Sequence, residues 1–426
     1  MHSPAEPTVS SLLLDRTRDT GPAMYYGDAS WTWRRFVQRC MEHGGWLQSV
    51  GRGVRSRSNN GQLHVGVLAE NTPETLFLIG GAALSGHVIV ALDASRTFDE
   101  IAEEISTAHC DVLVTDGTNP QRAADLATHT RVALVDMSNA GRQRETRDAL
   151  SGFQPVPAHP STPLMIVFTR ASTTSHALTV THRRITWAGA SAAAMLGLGS
   201  GDVICSPVPL FRAEALDLVL APALTLGLPI DLPIHGHSGV FRDVQRRRCT
   251  YLHVDEDVLT VCLRAPLGVG DGDNPIRLVT TAGAPAELRR RFSERFRCHV
   301  LDTYGLPESG IRLAPDPQAP YPVVGRLLQG ISVLHPRTGQ PCPPGRWDAA
   351  GRLLNPDEAI GELVNTAGTG LFDGYYDDAG ATAERIQDGM YFSGDLVFVD
   401  AEHRVYLVGA ADDWRRIVDE SLARIR

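Results

Sequence analysis

The chain has 426 residues, 43% hydrophobic and 21% charged, enough for a large core and more than one folding unit. A formal charge of -9 gives no electrostatic reason to bind nucleic acid or an anionic membrane. No run reaches the roughly 18–20 apolar residues of a membrane span, since the best candidate, around 216–228, holds Asp217 and Pro222. The first residues lack the basic region, apolar run and cleavage site of a signal peptide, so a cytoplasmic location is expected. Seven cysteines, at 40, 110, 205, 249, 262, 298 and 342, show no CxxC or Cys/His spacing; reduced, buried thiols are expected ahead of a zinc site.

In chain order, 51–62, rich in Arg, Ser, Asn and Gly, reads as a surface loop. The apolar run 64–68 precedes a helical pattern over 70–84, the run 87–92 precedes a helix near 99–106, and 111–115 follows. Strands alternating with helices predict parallel sheets covered by helices. A second series runs through 164–169, 202–207, 250–253, 276–280 and 299–302, with Arg246, Arg247 and Arg248 as a solvated helix end. Past Pro320, Gly, Pro and short β-type runs at 330–334, 361–365 and 405–408 predict a small β-rich, barrel-like part.

Three islands bear chemistry. The first, LMIVFTRASTTSHALTVTH at 164–182, is a strand, a run of small hydroxyl residues and a second strand, and alone reads equally as a polar hairpin. The second is DTYGLPESG at 302–310. The third joins GELVN at 361–365, GYYDD at 374–378 and YFSGDL at 391–396.

In this order and spacing the islands resemble the adenylate-forming superfamily of acyl-CoA synthetases, luciferases and peptide-synthetase adenylation domains. The PLF, GELVN, GYY and GDL phrases are most similar to the bacterial fatty-acyl-CoA synthetase branch. The resemblance implies that superfamily's α/β fold: paired α/β subdomains over 1–320, a β-barrel-like subdomain over 321–410, and a hinge with the start of a further domain over 411–426. The end at Arg426, shortly after the hinge, is what a truncated chain would show, and such a fragment would bind ligand while turning over slowly.

Residue by residue, the resemblance implies that Thr303, Tyr304 and Gly305 place an aromatic ring on adenine, that Glu308 binds magnesium, and that Asp395 takes both ribose hydroxyls. A hard cation suits the first carboxylate, and two accepted hydrogen bonds suit the second. Gly283, Ala284 and Pro285 match the turn lying against adenine, and Asp413 matches the hinge aspartate. The arginine of the hinge motif is replaced by Ala410, and the threonine before Glu308 by Pro307. Arg212, after PLF, stands where the family has a histidine or aromatic, and is expected to meet a substrate carboxylate or a phosphate.

The phosphate-binding loop departs most. Where the family places glycines, so that backbone N–H groups fold around phosphate, and a lysine, this chain has Thr169, Arg170, Ala171, Ser172, Thr173, Thr174, Ser175, His176, Ala177 and Leu178. β-Branched Thr174 disfavours the positive φ such a cradle uses. Contacts to the nucleoside are kept and those to the outer phosphates are lost. The expected function is therefore thioesterification of an acyl-adenylate by CoA, with adenylation by a partner ligase and ATP itself poorly served. The rivals are a conventional ATP-dependent acyl-CoA ligase with a variant loop, and a non-catalytic relative that binds carboxylate or nucleotide. The small aliphatic segment 215–228 implies an apolar carboxylic acid, fatty or terpenoid, and the separated half-reactions suggest specialised metabolism.

Overall fold

The computed structural model describes residues 6–54, 56–58, 61–169, 175–210, 212–234, 236–266, 268, 271–304, 308, 310–316 and 323–423. The chain divides into two compact units, one of residues 1–253 with 373–377 and one of 254–372 with 378–426. This division falls after His253, whereas the change of sequence texture near 320 marks the approach to an antiparallel sheet.

The first unit holds a six-stranded sheet in the spatial order Ala133–Asp136, Val112–Thr115, His64–Leu68, Val88–Ala91, Pro163–Phe168, Ala177–Thr181. All neighbours are parallel except the last pair. Three of these strands are buried along their whole length, which is why they read as unbroken apolar runs. Local chemistry fixes the helices between them. Thr72 caps Pro73–Ser85 by accepting from the Thr75 N–H, and Gly86 ends that helix at φ 74. Thr97 and Glu100 form a capping box at the start of Phe98–Thr107. The core joins Val88, Val90, Ile101, Leu113 and Ile166, with Tyr376 packed against it. Full burial of each such aliphatic side chain stabilises by about 1.5–3 kcal/mol.

A second sheet of this unit runs Tyr251–His253, Ile204–Cys205, Ile230–Leu232, Pro22–Tyr26, Ala29–Thr32, with the last two as an antiparallel hairpin. Only two residues of the expected strand 202–207 pair, because Pro207 and Pro209 lack a backbone donor. The loop expected from residue 51 starts later, since the helix Trp33–Gly53 runs on. The next residues are then tethered: the Arg57 N–H and the Ser56 hydroxyl both donate to the Asp111 carboxylate.

The second unit contributes a parallel pair, Leu278–Thr281 and His299–Asp302, and an antiparallel six-stranded sheet. That sheet runs Val323–Arg326, Arg404–Ala410, Met390–Val399, Gly361–Asn365, Ile331–Leu334, with Ile386–Gln387 paired to Met390–Val399. Trp414 packs into its core with Leu396, Ile360 and Phe398, and its indole N–H donates to the Ile360 carbonyl at 2.8 Å, docking the helix Trp414–Ala423. Among the described residues no helix is long and apolar enough to cross a membrane.

Buried imidazoles, His43 and His182 among them, make the first unit acid-sensitive. His43 and His182 are almost completely enclosed, and burial lowers them from 6.5 to about 3 and about 4. His182 opens the helix His182–Leu196, where the dipole also opposes positive charge. The unfolded chain protonates both rings near 6.5 while the folded chain refuses the protons, so their contribution is present above 6.5 and lost as pH falls toward 4. Denaturant titrations should show stability dropping between pH 7 and 5 by about 2 kcal/mol per histidine, with a shallower slope in His182→Gln.

Candidate active site

In the second unit the site begins at the carboxyl ends of two adjacent parallel strands, the usual place for a ligand in an α/β sheet. Leu278–Thr281 runs into the turn Gly283–Ala284–Pro285, and His299–Asp302 runs into Thr303 and Tyr304. Gly283 sits at φ 74, and a Cβ there would meet nothing within 4 Å, so the turn presents bare backbone to open space. Asp302 braces it: one carboxylate oxygen accepts from the Gly283 N–H at 2.8 Å, and the Ala284 N–H also donates to this carboxylate. Arg289 lies 3.8 Å from the other oxygen and donates from Nε to the Ala284 carbonyl at 3.1 Å. Burial raises the Asp302 carboxyl, and the Arg289 charge and the two N–H groups partly offset this. Thr303 closes the base of the site, its N–H and hydroxyl both donating to the Thr281 carbonyl.

The Tyr304 hydroxyl donates to Asp395 Oδ2 at 2.6 Å, joining the strand-end loop to the long strand Met390–Val399. Burial and then the Asp395 charge hold the Tyr304 phenol well above its usual value. Burial likewise raises Asp395, with the Tyr304 bond and Arg385 opposing and the Glu308 charge adding. Gly394, at φ 76, gives its N–H to Glu362 Oε1 at 2.8 Å, and the Asp395 N–H bonds the Ser393 hydroxyl at 3.0 Å. Arg385 donates to the Ser393 carbonyl. Ala410 is the direct cross-strand partner of Asp395, so the position that lacks the family's arginine borders this carboxylate. Glu308 is buried, and as a single carboxylate it fits magnesium, an ion usually held by one or two carboxylates together with substrate phosphates.

In the first unit the described ends of the phosphate loop form a closed hairpin. The Thr169 N–H donates to the His176 carbonyl at 3.0 Å and the His176 N–H to the Thr169 hydroxyl at 3.1 Å. His176 stacks on Tyr375 at 4.6 Å, and the Tyr376 N–H donates to the Ala177 carbonyl, so GYY lies alongside Ala177–Thr181. Arg96 reaches the base of the loop, donating to the Thr169 carbonyl and the Ser175 hydroxyl, while its charge is matched by buried Glu104 at 2.7 Å. Arg212 precedes the short helix Ala213–Ala215, and its Nε is buried without a hydrogen-bond partner. The buried residues that follow adopt a π-helical turn, Leu216–Leu220, before Ala221–Leu226, a distortion common at functional sites.

Of the residues expected from sequence, Gly283, Ala284, Pro285, Thr303, Tyr304, Glu308 and Asp395 all lie in the second unit, where Tyr304 and Asp395 share a hydrogen bond. Thr169, His176 and Arg212 belong to the first unit. Asp413 ends the 3-10 turn Ala411–Asp413, its carboxylate 2.9 Å from Arg416. Arg170, Ala171, Ser172, Thr173, Thr174 and Gly305 lie outside the described residues. Sequence reasoning missed Asp302, Arg289, Glu362 and Arg385. Asp302 and Glu362 stand inside the quoted DTYG and GELVN phrases and could have been found there; Arg289 and Arg385 had no local signal.

Residues 15–376 match the family described as AMP-binding enzyme. The chain is 32% identical to the steroid-22-oyl-CoA synthetase of Rhodococcus jostii, across 98% of this chain and 75% of that protein. It is 31% identical to a medium/long-chain-fatty-acid–CoA ligase of Mycobacterium tuberculosis, across 99% and 79%. Among solved structures it is similar in fold to an anthranilate CoA ligase in complex with anthranoyl-AMP, with a TM-score of 0.80 at 16% identity, covering 96% of this chain and 78% of that one.

If Asp395 is the ribose contact, Asp395→Asn should weaken AMP binding about 10- to 100-fold in calorimetric titration, the equivalent of one charge-assisted hydrogen bond of roughly 1.5–3 kcal/mol. Unchanged affinity in a folded variant would remove Asp395 from that role.

Proposed function

The chain is a member of the AMP-binding enzyme family and an acyl-CoA ligase, and from that premise we propose that it is specialised for the thioester-forming half of ligation. In that step the CoA thiol loses its proton and its sulfur attacks the acyl carbonyl of an acyl-adenylate. The bond from the acyl carbon to the phosphate oxygen breaks, and AMP leaves with the electron pair. A partner ligase in the same cytoplasm supplies the adenylate.

The observation that supports this reading is the contrast between the two halves of the nucleotide machinery. The Gly283 N–H, the Tyr304 hydroxyl and the Asp395 N–H each have a defined bracing partner, as a site kept for a nucleoside monophosphate would. The phosphate loop has neither glycine nor lysine. Among the described residues at its base, Arg96 is engaged with Glu104 and with loop oxygens, and His176 with Tyr375. Each charge-assisted hydrogen bond missing from a departing pyrophosphate costs about 1.5–3 kcal/mol, and roughly 1.4 kcal/mol is tenfold in rate, so losing several stops adenylation. Thioester formation begins after pyrophosphate has gone and needs none of them. In this reading Glu308 would hold magnesium when the ion is bound; the ion supplies positive charge beside phosphate oxygens.

The substrate is read as a large apolar acid of fatty or terpenoid type. From Ala215 to Leu224 the chain is buried and, apart from Asp217 paired with Arg184, apolar, and the two relatives are named for a steroid acid and for medium and long fatty acids. One observation favours a second reading, a conventional ligase with a variant loop. The buried, unpartnered Nε of Arg212 is a cation able to meet an anion in place of the lysine.

Purified protein given a synthetic long-chain acyl-adenylate and CoA should release acyl-CoA and AMP, while free acid with ATP should give no pyrophosphate exchange. Normal exchange, abolished by Arg212→Ala, would establish the second reading. Absence of turnover with either substrate would leave a binding protein.

A further inference from the structure

Away from the nucleotide residues, the short-stranded sheet of the first unit gathers three metal-ligating side chains that the sequence scatters. Cys205 lies on Ile204–Cys205 and is the direct cross-strand partner of Asp231 on Ile230–Leu232, so their side chains share one face. Cys249 enters the next strand, Tyr251–His253. The two sulfurs and an Asp231 carboxylate oxygen lie within 4.8 Å of one another, and all three residues are buried. Asp243, on the helix Gly236–Arg247, faces the same group closely enough for its charge to act on both Asp231 and Cys205.

The charges of this cluster are only partly matched: Arg246 and Arg247 act on Asp231 from a distance and the Cys205 thiol bonds it, against burial and the like charge of Asp243. Asp231 is 2% exposed and Asp243 6%, and each has a carboxylate oxygen, Oδ2, buried with no hydrogen-bond partner. The nearby cations are engaged elsewhere: Arg246 pairs with Asp28, and Arg247 donates to the Gly27 carbonyl. An uncompensated buried carboxylate is expensive, and the usual remedies are a partner cation or a metal. We propose that Cys205, Cys249 and Asp231 hold a zinc ion, with Asp243 closing the fourth position.

The donor set selects the metal class. Thiolates exclude magnesium and calcium and suit zinc, which takes sulfur and carboxylate oxygen together in tetrahedral sites. Zinc–sulfur bonds of about 2.3 Å put two ligand sulfurs roughly 3.8 Å apart, and the two sulfurs here lie within 4.8 Å of each other. On binding, both thiols release their protons and the ion replaces them. The site would be structural. Strands of two and three residues make few ladder bonds, and one ion tied to three of them fixes a register that hydrogen bonds secure weakly.

The test uses the whole chain, incubated with zinc and desalted. Elemental analysis should find about one zinc per chain, and cobalt in its place should give the thiolate charge-transfer and visible bands of a tetrahedral sulfur site. Cys205→Ser with Cys249→Ser should abolish the bands, and Asp231→Asn, the milder change, should weaken zinc retention about tenfold or more while circular dichroism stays native. Removing zinc by chelation should lower the melting temperature of the parent protein and leave that of the double variant unchanged. The proposal is overturned if no zinc remains after desalting, if cobalt gives no sulfur bands, or if mass analysis of the native protein finds Cys205 and Cys249 joined as a disulfide.

Discussion

The second unit is organised around a single contact, the hydrogen bond from Tyr304 to Asp395. Its donor follows a parallel strand and its acceptor sits on an antiparallel one, so two kinds of sheet are held to one geometry by a side-chain pair. In a buried setting such a bond is strong because water cannot compete for either partner. The supports around it are arranged in the same way. Asp302 orients the Gly283 turn, while Ser393 and Glu362 fix the backbone that presents Asp395. The Gly283 turn and the strand carrying Asp395 are thus held in place by side chains of neighbouring elements.

The first unit solves a different problem at its loop. A phosphate cradle requires backbone N–H groups free to converge, and glycine gives that freedom. Here the base of the loop is closed by Thr169 and His176, braced by Tyr375 and fastened by Arg96. Arg96, the cation at the base of this loop, serves as part of the scaffold.

Much of the fold was legible because burial on both faces writes a continuous apolar run, as at His64–Leu68 and Val112–Thr115, and because caps such as Thr72 and Gly86 act locally. The DTYG and GDL phrases pointed to Tyr304 and Asp395, which share a hydrogen bond. What escaped reading depends on partners distant in sequence. Nothing near Pro22–Tyr26 announces that it pairs with Ile230–Leu232, and nothing near Cys205 announces Cys249. Arg96 has no motif because its role is defined by what it reaches across the sheet. The loop expected from residue 51 starts only after Gly53, because the polar residues there resemble a loop wherever the helix Trp33–Gly53 ends.

The return of residues 373–377 to the first unit also sets a timetable for synthesis. Ala177–Thr181 is the last strand of its sheet, and its outer edge is occupied by Gly374, Tyr375 and Tyr376. During translation that edge stays open until roughly 190 more residues have been added, about 10–40 s at ordinary elongation rates. An open edge is a template for pairing with other chains. The nascent protein must therefore pass through a sticky interval that the finished one conceals, and the GYY phrase is the stretch of chain that brings it to a close.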